Sequence, residues 1–538
     1  MKLDVKGMTC NSCENHISDY LKAIKGVNDV CVSYPNKNAI IDTGLNPSII
    51  IKAIESIGYT ATIENSADAC CETGQLHVAI IGSGSGAFAA GIKAAEEGAR
   101  VTIIEADEVI GGCCVNVGCV PSKIMIRSAH LAQHQRSNPF PGIKNHEPEI
   151  TRSLLAQQQQ SRVDELRMAK YESILEKNPA LTLIKGFAKF KDKNTLVIDK
   201  EDGESQELIA DRILIASGSK PFIPPITGIE NVPYWTSTEA LFSEELPETM
   251  TVVGSSVIAL EIAQAYQRLG TQVTLLARHS LLYNQDPVLG ENLKKILESE
   301  GMIVKTQTQA QKVVFIDDQF YIILNNGEIY TDRLLIAAGR EANTENLNLE
   351  NINLATDKKG AIIVNEKLQT NINNIYAVGD CSTMPQFVYV AAAAGTRAAI
   401  NMTGGEAKLD LSTMPAVIFT DPQVATVGLT EDEAQSKGIS TISRQLELEH
   451  VPRSLANFET HGFIKMVANK NTMQIIGVQI LAADAGEMIQ TAVLAIHNKM
   501  TTTDLAGQLF PYLTMVEGLK LCAQTFAKDV SELSCCAG

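Results

Sequence analysis

The sequence predicts an α/β protein with two Rossmann-like units, a C-terminal α+β domain and a small ferredoxin-like βαββαβ unit at its start. Glycine-rich turns join a strand to a helix within residues 76–105 and again within 250–280. Both sit in a strand–turn–helix–strand pattern. From about residue 411, strands and helices alternate, and the first 65 residues follow the order β-α-β-β-α-β.

Composition describes an ordinary globular chain. Its 538 residues are 45% hydrophobic and 20% charged, enough for three or four domains with large cores. The net charge of −17 argues against nucleic acid or an anionic membrane surface as a partner. No basic segment followed by an apolar stretch opens the chain, and the longest apolar run, 78–92, is rich in Gly and Ala. We therefore expect a cytoplasmic protein without membrane insertion.

The first unit carries a pair of cysteines, Cys10 and Cys13, in the loop GMTCNSC before its first helix. This loop resembles that of the heavy-metal-associated domain, and two thiolates at C-x2-C suit a soft cation such as Hg(II) or Cu(I). The alternative is half of a zinc site, which needs two further ligands. Cys31 and His16 are the candidates within the unit, and neither has ligand spacing. The predicted strands are 2–6, 30–34, 39–43 and 59–64, and the predicted helices are 11–25 and 47–57.

A short polar segment, 66–74, follows as a linker and contains Cys70 and Cys71. These thiols are either a relay for metal or an incidental pair. Cys31, Cys381 and Cys522 stand alone in the sequence and are interpreted as small hydrophobic residues, buried or at the surface.

The first glycine-rich turn has the spacing of a dinucleotide site. Gly82, Gly84 and Ala87 fill the G-x-G-x-x-A positions, and Glu105 ends the next strand, where it is placed to accept from an adenosine ribose. Glycines allow the backbone to approach a pyrophosphate at the N-terminus of the helix. The full βαβ context makes the motif specific.

A second cysteine pair follows this unit in GGCCVNVGCVPSK, residues 111–123. Cys114 and Cys119 are a little more than one helical turn apart, so their sulfurs can face one side and close a disulfide. A thiol at a helix N-terminus is held partly as thiolate. In a chain without a visible export signal, such a pair is more often catalytic than structural.

These motifs together resemble the pyridine nucleotide–disulfide oxidoreductases. The resemblance implies FAD on the first unit, Cys119 as the thiol beside the flavin and Cys114 as the interchange thiol. Cys113 lies next to the pair, and we interpret it as a spectator. It also assigns Asp380, at the end of IYAVGD, to the ribityl chain of FAD. An ordinary strand ending in an acidic turn is the alternative. The FAD domain is then split by an inserted domain.

That insert opens on the second glycine-rich turn, where Gly254 and Ala259 keep their positions but Ser256 replaces the middle glycine. The next strand ends at Arg278 and His279 rather than at an acidic residue. Cations there favour a 2′-phosphate, so NADPH is predicted over NADH.

The resemblance implies further residues near the flavin. Glu261 matches a family glutamate close to the nicotinamide, and Lys123 is expected to pair with it. Tyr171 matches a family tyrosine on the substrate side of the disulfide, with a buried structural tyrosine as the alternative. It lies in a predicted helical stretch, 150–177, whose glutamines at 157–160 are interpreted as a solvated face. Segments 213–218 and 334–339 resemble the paired crossings between the two dinucleotide domains.

The C-terminal domain lacks a histidine that the family uses as a base. The corresponding segment FPYLTMVEGL has Tyr512 five residues before Glu517, in place of the His. A tyrosine with an ordinary pKa of about 10 is a poor base at neutral pH. Because an organic disulfide needs protons for its leaving thiolates and a thiolate-bound metal does not, the departure argues against glutathione or lipoamide as substrate.

Two more vicinal cysteines, Cys535 and Cys536, lie near the chain end, where a core position is not expected. By the resemblance, they reach the Cys114 and Cys119 site of the other subunit of a homodimer. The domains are predicted as follows: 1–65 heavy-metal-associated; 66–74 linker; 75–220 and 345–410 FAD-binding; 221–344 NADPH-binding; 411–538 dimerisation with the Cys-Cys tail.

The resemblance and the cysteine clusters together predict an NADPH-dependent flavoenzyme that reduces thiolate-bound Hg(II) to Hg(0). Cys10 and Cys13 capture the ion, the C-terminal pair receives it, and Cys114 and Cys119 hold it for reduction. Small thiols and membrane mercury transporters are the expected donors. The alternatives are a general NADPH–disulfide reductase with an accessory metal domain, and a non-enzymatic metal-trafficking protein.

Overall fold

The computed structural model describes residues 2–8, 11–34, 37–63 and 75–532. The chain divides into two compact units, Met1–Gly74 and Gln75–Gly538. The predictions for Cys10, Cys70, Cys71, Cys535 and Cys536 fall outside the described residues. Among the helices that are described, none is long and apolar enough to cross a bilayer.

The first unit is the predicted βαββαβ fold. Its four strands form one antiparallel sheet in the order β2-β3-β1-β4, and both helices bury apolar side chains against it. The first helix ends at Lys22, earlier than predicted, and a turn follows in which Gly26 takes a φ of +102° and the backbone N–H of Val27 donates 3.1 Å to the carbonyl of Ile24. The elements are β1 Lys2–Lys6, α1 Asn11–Lys22, β2 Val27–Ser33, β3 Asn38–Thr43, α2 Pro47–Ser56 and β4 Thr60–Ile63.

The next segment builds the first Rossmann-like unit and the cysteine helices. Burial of β5 on both faces explains the apolar run VAII that follows its buried first residue, His77. The elements are β5 His77–Ile81, α3 Ser85–Glu96, β6 Arg100–Glu105, α4 Gly112–Asn116, α5 Cys119–Arg136, α6 Arg152–Arg167, α7 Ser173–Lys177, β7 Leu181–Lys185, β8 Phe187–Phe190, β9 Thr195–Asp199, β10 Ser205–Ile209, β11 Arg212–Ile215 and β12 Ser219–Pro221.

The inserted segment repeats the same architecture with a four-stranded parallel sheet, β15-β14-β13-β19. The elements are α8 Ser237–Phe242, β13 Thr249–Val253, α9 Val257–Leu269, β14 Gln272–Ala277, α10 Pro287–Ser299, β15 Ile303–Thr306, β16 Ala310–Ile316, β17 Gln319–Leu324, β18 Gly327–Thr331, β19 Arg333–Ile336 and β20 Arg340–Ala342.

After the insert, the chain returns to the first sheet through β21 Ile375–Ala377 and α11 Val388–Met402. The parallel sheet is then complete, in the order β21-β11-β5-β6-β7. The strands β12 and β20, which directly follow the two predicted crossing segments, pair antiparallel. Helix α11 packs closely on α3, where a Cβ at Gly395 would overlap the carbonyl oxygen of Gly86.

The C-terminal domain is an antiparallel sheet, β22-β23-β26-β25-β24, covered by helices. Its elements are β22 Ala416–Ile418, β23 Gln423–Gly428, α12 Glu431–Ser436, β24 Thr441–Glu447, α13 Pro452–Asn457, β25 Phe463–Asn469, β26 Ile475–Ala482, α14 Ala485–His497, α15 Thr502–Ala506 and α16 Glu517–Gln524. The α/β class and its arrangement are as predicted.

The predicted helical stretch 150–177 is helical with a π-helical turn, Met168–Glu172, in its middle. One part of its interpretation is wrong: Gln159 is buried, and its side-chain amide donates 2.8 Å to the carbonyl of Leu241. Gln157, Gln158 and Gln160 are therefore exposed, whereas Gln159 is buried because one face of α6 packs on α8. The lone cysteines are as expected, with Cys31 exposed and Cys381 and Cys522 buried.

Candidate functional site

The first glycine-rich turn has the backbone geometry that a pyrophosphate needs. Gly82 has a φ of +102°, and a Cβ there would overlap the carbonyl oxygen of Ala216. Gly84 caps the N-terminus of α3. Glu105 is buried and accepts from the Ser83 hydroxyl and, at 2.9 Å, from the backbone N–H of Asp107. A carboxylate retains further acceptor positions, so these residues fit the adenosine half of FAD.

A double-glycine bend brings the cysteine helices onto this turn. Gly111 and Gly112 have φ values of +102° and +66°. A Cβ at Gly112 would lie 2.7 Å from the Cα of Gly84, so the two backbones approach without room for side chains. Helix α4 follows the bend and carries Cys114, and α5 begins at Cys119.

Cys114 and Cys119 interact as a dithiol in which Cys119 loses its proton more readily than Cys114. A hydrogen bond from the Cys114 thiol and, secondarily, the Lys123 charge lower the pKa of Cys119 to about 7, although burial opposes the shift. The same hydrogen bond, reinforced by burial, raises the pKa of Cys114 above its usual range. Cys119 is therefore the thiolate near neutral pH, as expected at the N-terminus of a helix.

A salt bridge between two domains lies beside the pair. Lys123 Nζ donates 2.7 Å to Glu261 Oε2, and Glu261 is 4% exposed. The other carboxylate oxygen accepts 2.9 Å from the backbone N–H of Phe419, whose ring lies 4.6 Å from the ammonium. The contact joins α5, α9 and the C-terminal domain, and it is the pairing that the resemblance implied.

Replacing Glu261 with glutamine is expected to lower the pKa of Cys119 below about 7, because the Glu261 charge raises that pKa and the lysine would lose its counter-charge. Glutamine still accepts from Phe419. With FAD bound, as the resemblance implies, the thiolate–flavin absorbance of the two-electron-reduced protein, titrated against pH, measures the effect. Lys123→Met is the opposed control and should move the midpoint to higher pH. A midpoint that stays unchanged in both variants would contradict the assignment.

Tyr171 lies in the π-helical turn, half-buried, with its hydroxyl 3.2 Å from that of Ser85. Its ring makes an edge contact with Phe88 at a centroid distance of 4.8 Å. Burial raises the pKa of Tyr171, and negative charge on Cys114 and Cys119 adds to the shift. The phenol is thus a neutral donor within electrostatic reach of the thiol pair.

Cys113 faces a different set of groups. Arg340 Nη2 donates to its sulfur at 3.7 Å, and burial raises the pKa of this thiol. Arg340 also donates to the hydroxyl and carbonyl of Ser219 at 2.8 and 2.6 Å. The Ser219 hydroxyl in turn donates 2.7 Å to Asp380. Ser219 on β12 and Arg340 on β20 therefore orient Asp380, the residue expected at the ribityl chain.

The second glycine-rich turn repeats the first. Gly254 has a φ of +139°, and a Cβ there would overlap the carbonyl oxygen of Ala337. Ser256 is exposed at the N-terminus of α9, and Ala259 is fully buried against the sheet. Arg278 and His279 are exposed just after β14, with Arg278 Nε donating 3.2 Å to His279 Nε2. This arrangement fits a phosphorylated dinucleotide.

The C-terminal candidates lie on one turn. Tyr512 is 51% exposed, whereas Glu517 is buried at the start of α16. Glu517 accepts 3.2 Å from the backbone N–H of Leu513, so it fixes the turn that carries Tyr512. In the first unit, Cys13 is partly buried near the start of α1, and His16 lies 3.3 Å from the Tyr59 hydroxyl. Within the described ranges, no group of three His, Cys, Asp or Glu side chains could hold a metal ion.

Sequence reasoning missed four residues of this site: Ser85, Ser219, Arg340 and Phe419. Ser219 and Arg340 directly follow the two crossing segments, so their positions could have been singled out. Ser85 lies inside the first glycine-rich turn. Phe419 acts through its backbone N–H, which no sequence motif marks.

Comparison with known families agrees with this geometry. Residues 76–395 match the family Pyridine nucleotide-disulphide oxidoreductase, 414–523 match its dimerisation domain, and 2–60 match the Heavy-metal-associated domain. The fold and site thus define a pyridine nucleotide–disulfide oxidoreductase with a heavy-metal-associated domain in front. The dimerisation domain supports a homodimer.

Relatives that match over the full chain narrow this class. The chain is 61% identical to the mercuric reductase of Shewanella putrefaciens, covering 100% of each, and 53% identical to that of Acidithiobacillus ferrooxidans, covering 100% and 99%. That of Shigella flexneri is 52% identical over 100% of each chain. The chain belongs to the mercuric reductases of the pyridine nucleotide–disulfide oxidoreductase family.

Solved structures show the same fold. The HOCl-induced flavoprotein disulfide reductase RclA of Escherichia coli aligns with a TM-score of 0.74 at 26% identity, over 84% of this chain and 100% of that one. LpdA of Mycobacterium tuberculosis aligns with a TM-score of 0.76 at 25% identity, over 84% and 100%.

Proposed function

We propose that this chain catalyses the NADPH-dependent reduction of thiolate-bound Hg(II) to Hg(0). The observation that carries the proposal is the Cys114–Cys119 dithiol, with its low-pKa thiol at the start of α5. Two adjacent sulfurs suit a soft cation that prefers linear, two-coordinate binding. The full-length similarity to mercuric reductases supports this substrate over an organic disulfide.

The residues present fit both cofactors of the family. Gly82, Gly84, Ala87 and Glu105 would hold the adenosine and pyrophosphate of FAD, with Asp380 at the ribityl chain. FAD, when bound, supplies the two-electron connection between NADPH and the thiol pair.

NADPH would lie on the second turn. Its binding groups are Gly254, Ser256 and Ala259 at the pyrophosphate, and Arg278 and His279 at the 2′-phosphate. Lys123 and Glu261 connect this domain to the thiol helix. Their ion pair holds a positive charge beside Cys119, which stabilises its thiolate.

The electron balance needs no general base. Two electrons convert the Hg(II) held by Cys114 and Cys119 into Hg(0), and both sulfurs are released as thiolates without taking up a proton. Overall, NADPH and Hg(II) give NADP⁺, Hg(0) and one proton. Tyr512 in place of a histidine is consistent with this chemistry, and Tyr171 would line the same site as a neutral hydrogen-bond donor.

The proposal includes a relay of thiols. Cys10 and Cys13 capture Hg(II), and Cys535 and Cys536 receive it by ligand exchange and pass it to the catalytic pair of the other subunit. In this arrangement, Tyr512 reaches the partner's site on the turn fixed by Glu517. Small thiols and membrane mercury transporters are the proposed donors, and the cytoplasm, where thiols stay reduced, is the proposed location.

The test is NADPH oxidation by the holoenzyme with Hg(II) and excess small thiol, beside glutathione disulfide and lipoamide. We expect one mercury atom to be volatilised per NADPH oxidised and both disulfides to be inert. Turnover of a disulfide with mercury acting only as an inhibitor would replace the proposal with a general disulfide reductase.

A further inference from the structure

Two histidines converge on the surface of the helix that begins at Cys119. His130 and His134 are one turn apart on α5, and their Nε2 atoms are 2.7 Å apart. Their ring centroids are separated by 4.3 Å. They lie about 16 and 22 Å along the helix axis from Cys119, so they form no part of the thiol site. His134 is exposed and His130 is half-buried.

The surroundings of His130 fix which of its nitrogens is free. Asp421 Oδ2 lies 3.0 Å from His130 Nδ1, and a carboxylate there accepts the Nδ1 proton. Arg268 Nη1 also donates to Asp421, at 2.7 Å, which holds the carboxylate in place. His130 Nε2 then presents a lone pair toward His134. A carboxylate behind an imidazole is the usual support of a metal-binding histidine.

We propose that His130 and His134 chelate a divalent cation of borderline softness, of the class of Ni(II) or Zn(II), with water in the remaining positions. Metal–imidazole bonds of about 2.0–2.1 Å bring two ligand nitrogens to about 3 Å from each other. The observed separation of 2.7 Å therefore needs only a small outward rotation of the exposed His134 ring. Imidazole pairs at i and i+4 on a helix face present both nitrogens to one ion.

The site differs in chemistry and in place from the thiol clusters. Imidazoles favour borderline cations, whereas thiolate pairs favour soft ones. Asp421 belongs to the C-terminal domain and Arg268 to α9, so a cation on α5 would strengthen the junction of all three domains. Binding of this cation stabilises the fold and does not depend on the proposed reaction.

The experiment uses the untagged, oxidised holoenzyme with its free thiols blocked by N-ethylmaleimide, so that cysteine does not compete. Equilibrium dialysis against Ni(II) is expected to show one equivalent per chain that His134→Gln and His130→Gln each remove. His497→Gln, which changes an exposed histidine on α14, is the matched control and should retain it. Asp421→Asn should weaken binding about 10- to 100-fold, as losing such a support does elsewhere.

A second measurement distinguishes loss of the cation site from misfolding of the variant. Saturating Ni(II) should raise the thermal midpoint of the wild type and of His497→Gln but not that of His134→Gln, with flavin absorbance unchanged in all three. Binding that His134→Gln leaves intact would overturn the proposal. Absence of bound Ni(II) in the wild type would do the same and would leave the two rings joined by a direct hydrogen bond.

Discussion

Replacing Cys119 with serine is expected to lower mercury-dependent NADPH oxidation by about three orders of magnitude or more. Cys119 is the thiol whose pKa is lowered to about 7, so serine removes the sulfur that is charged at neutral pH. Cys114→Ser should cost a similar factor, because the remaining single thiol cannot close the two-coordinate site. Steady-state kinetics with trapped mercury measures both.

Cys113→Ser is the matched control, since it changes the thiol next to Cys114 on α4. Burial and, secondarily, the charge on Cys119 raise the pKa of Cys113, so this thiol stays protonated near neutral pH, and its sulfur accepts from Arg340. We therefore expect the variant to keep most of its activity. Equal losses in Cys113→Ser and Cys119→Ser would contradict the assignment of the catalytic thiols.

Gly82→Ala is expected to yield protein that loses FAD during purification. The alanine would have to adopt a φ of +102° and place its Cβ onto the carbonyl oxygen of Ala216. Strain and overpacking of this kind cost about 3 kcal/mol. If this strain makes the free energy of FAD binding less favourable by the same amount, the affinity for FAD falls about 100-fold. The ratio of flavin to protein absorbance gives the result.

Gly142→Ala provides the comparison for that variant. Gly142 lies in the loop after α5, where an added Cβ meets nothing within 4 Å. It should bind FAD like the wild type. Normal flavin content in Gly82→Ala would show that the turn tolerates a side chain and does not closely approach the cofactor.

The sequence alone was sufficient to predict the fold class and the chemistry-bearing motifs. Glycine spacing and strand periodicity are local properties, and they predicted both Rossmann-like units and the βαββαβ unit. The cysteine pair was found for the same reason, because Cys114 and Cys119 are close in sequence. Local patterns fail where a side chain is buried by a distant element, as Gln159 is by α8.

The tertiary structure alone decided which distant residues meet. It brought the Phe419 backbone to Glu261 and the crossing strands to Asp380, contacts that join residues more than 150 positions apart. It also placed Asp421 beside His130 on α5, where no sequence motif had indicated the cation site that we propose. Charge and pKa at such places depend on burial and through-space distance, and neither quantity is present in a linear pattern.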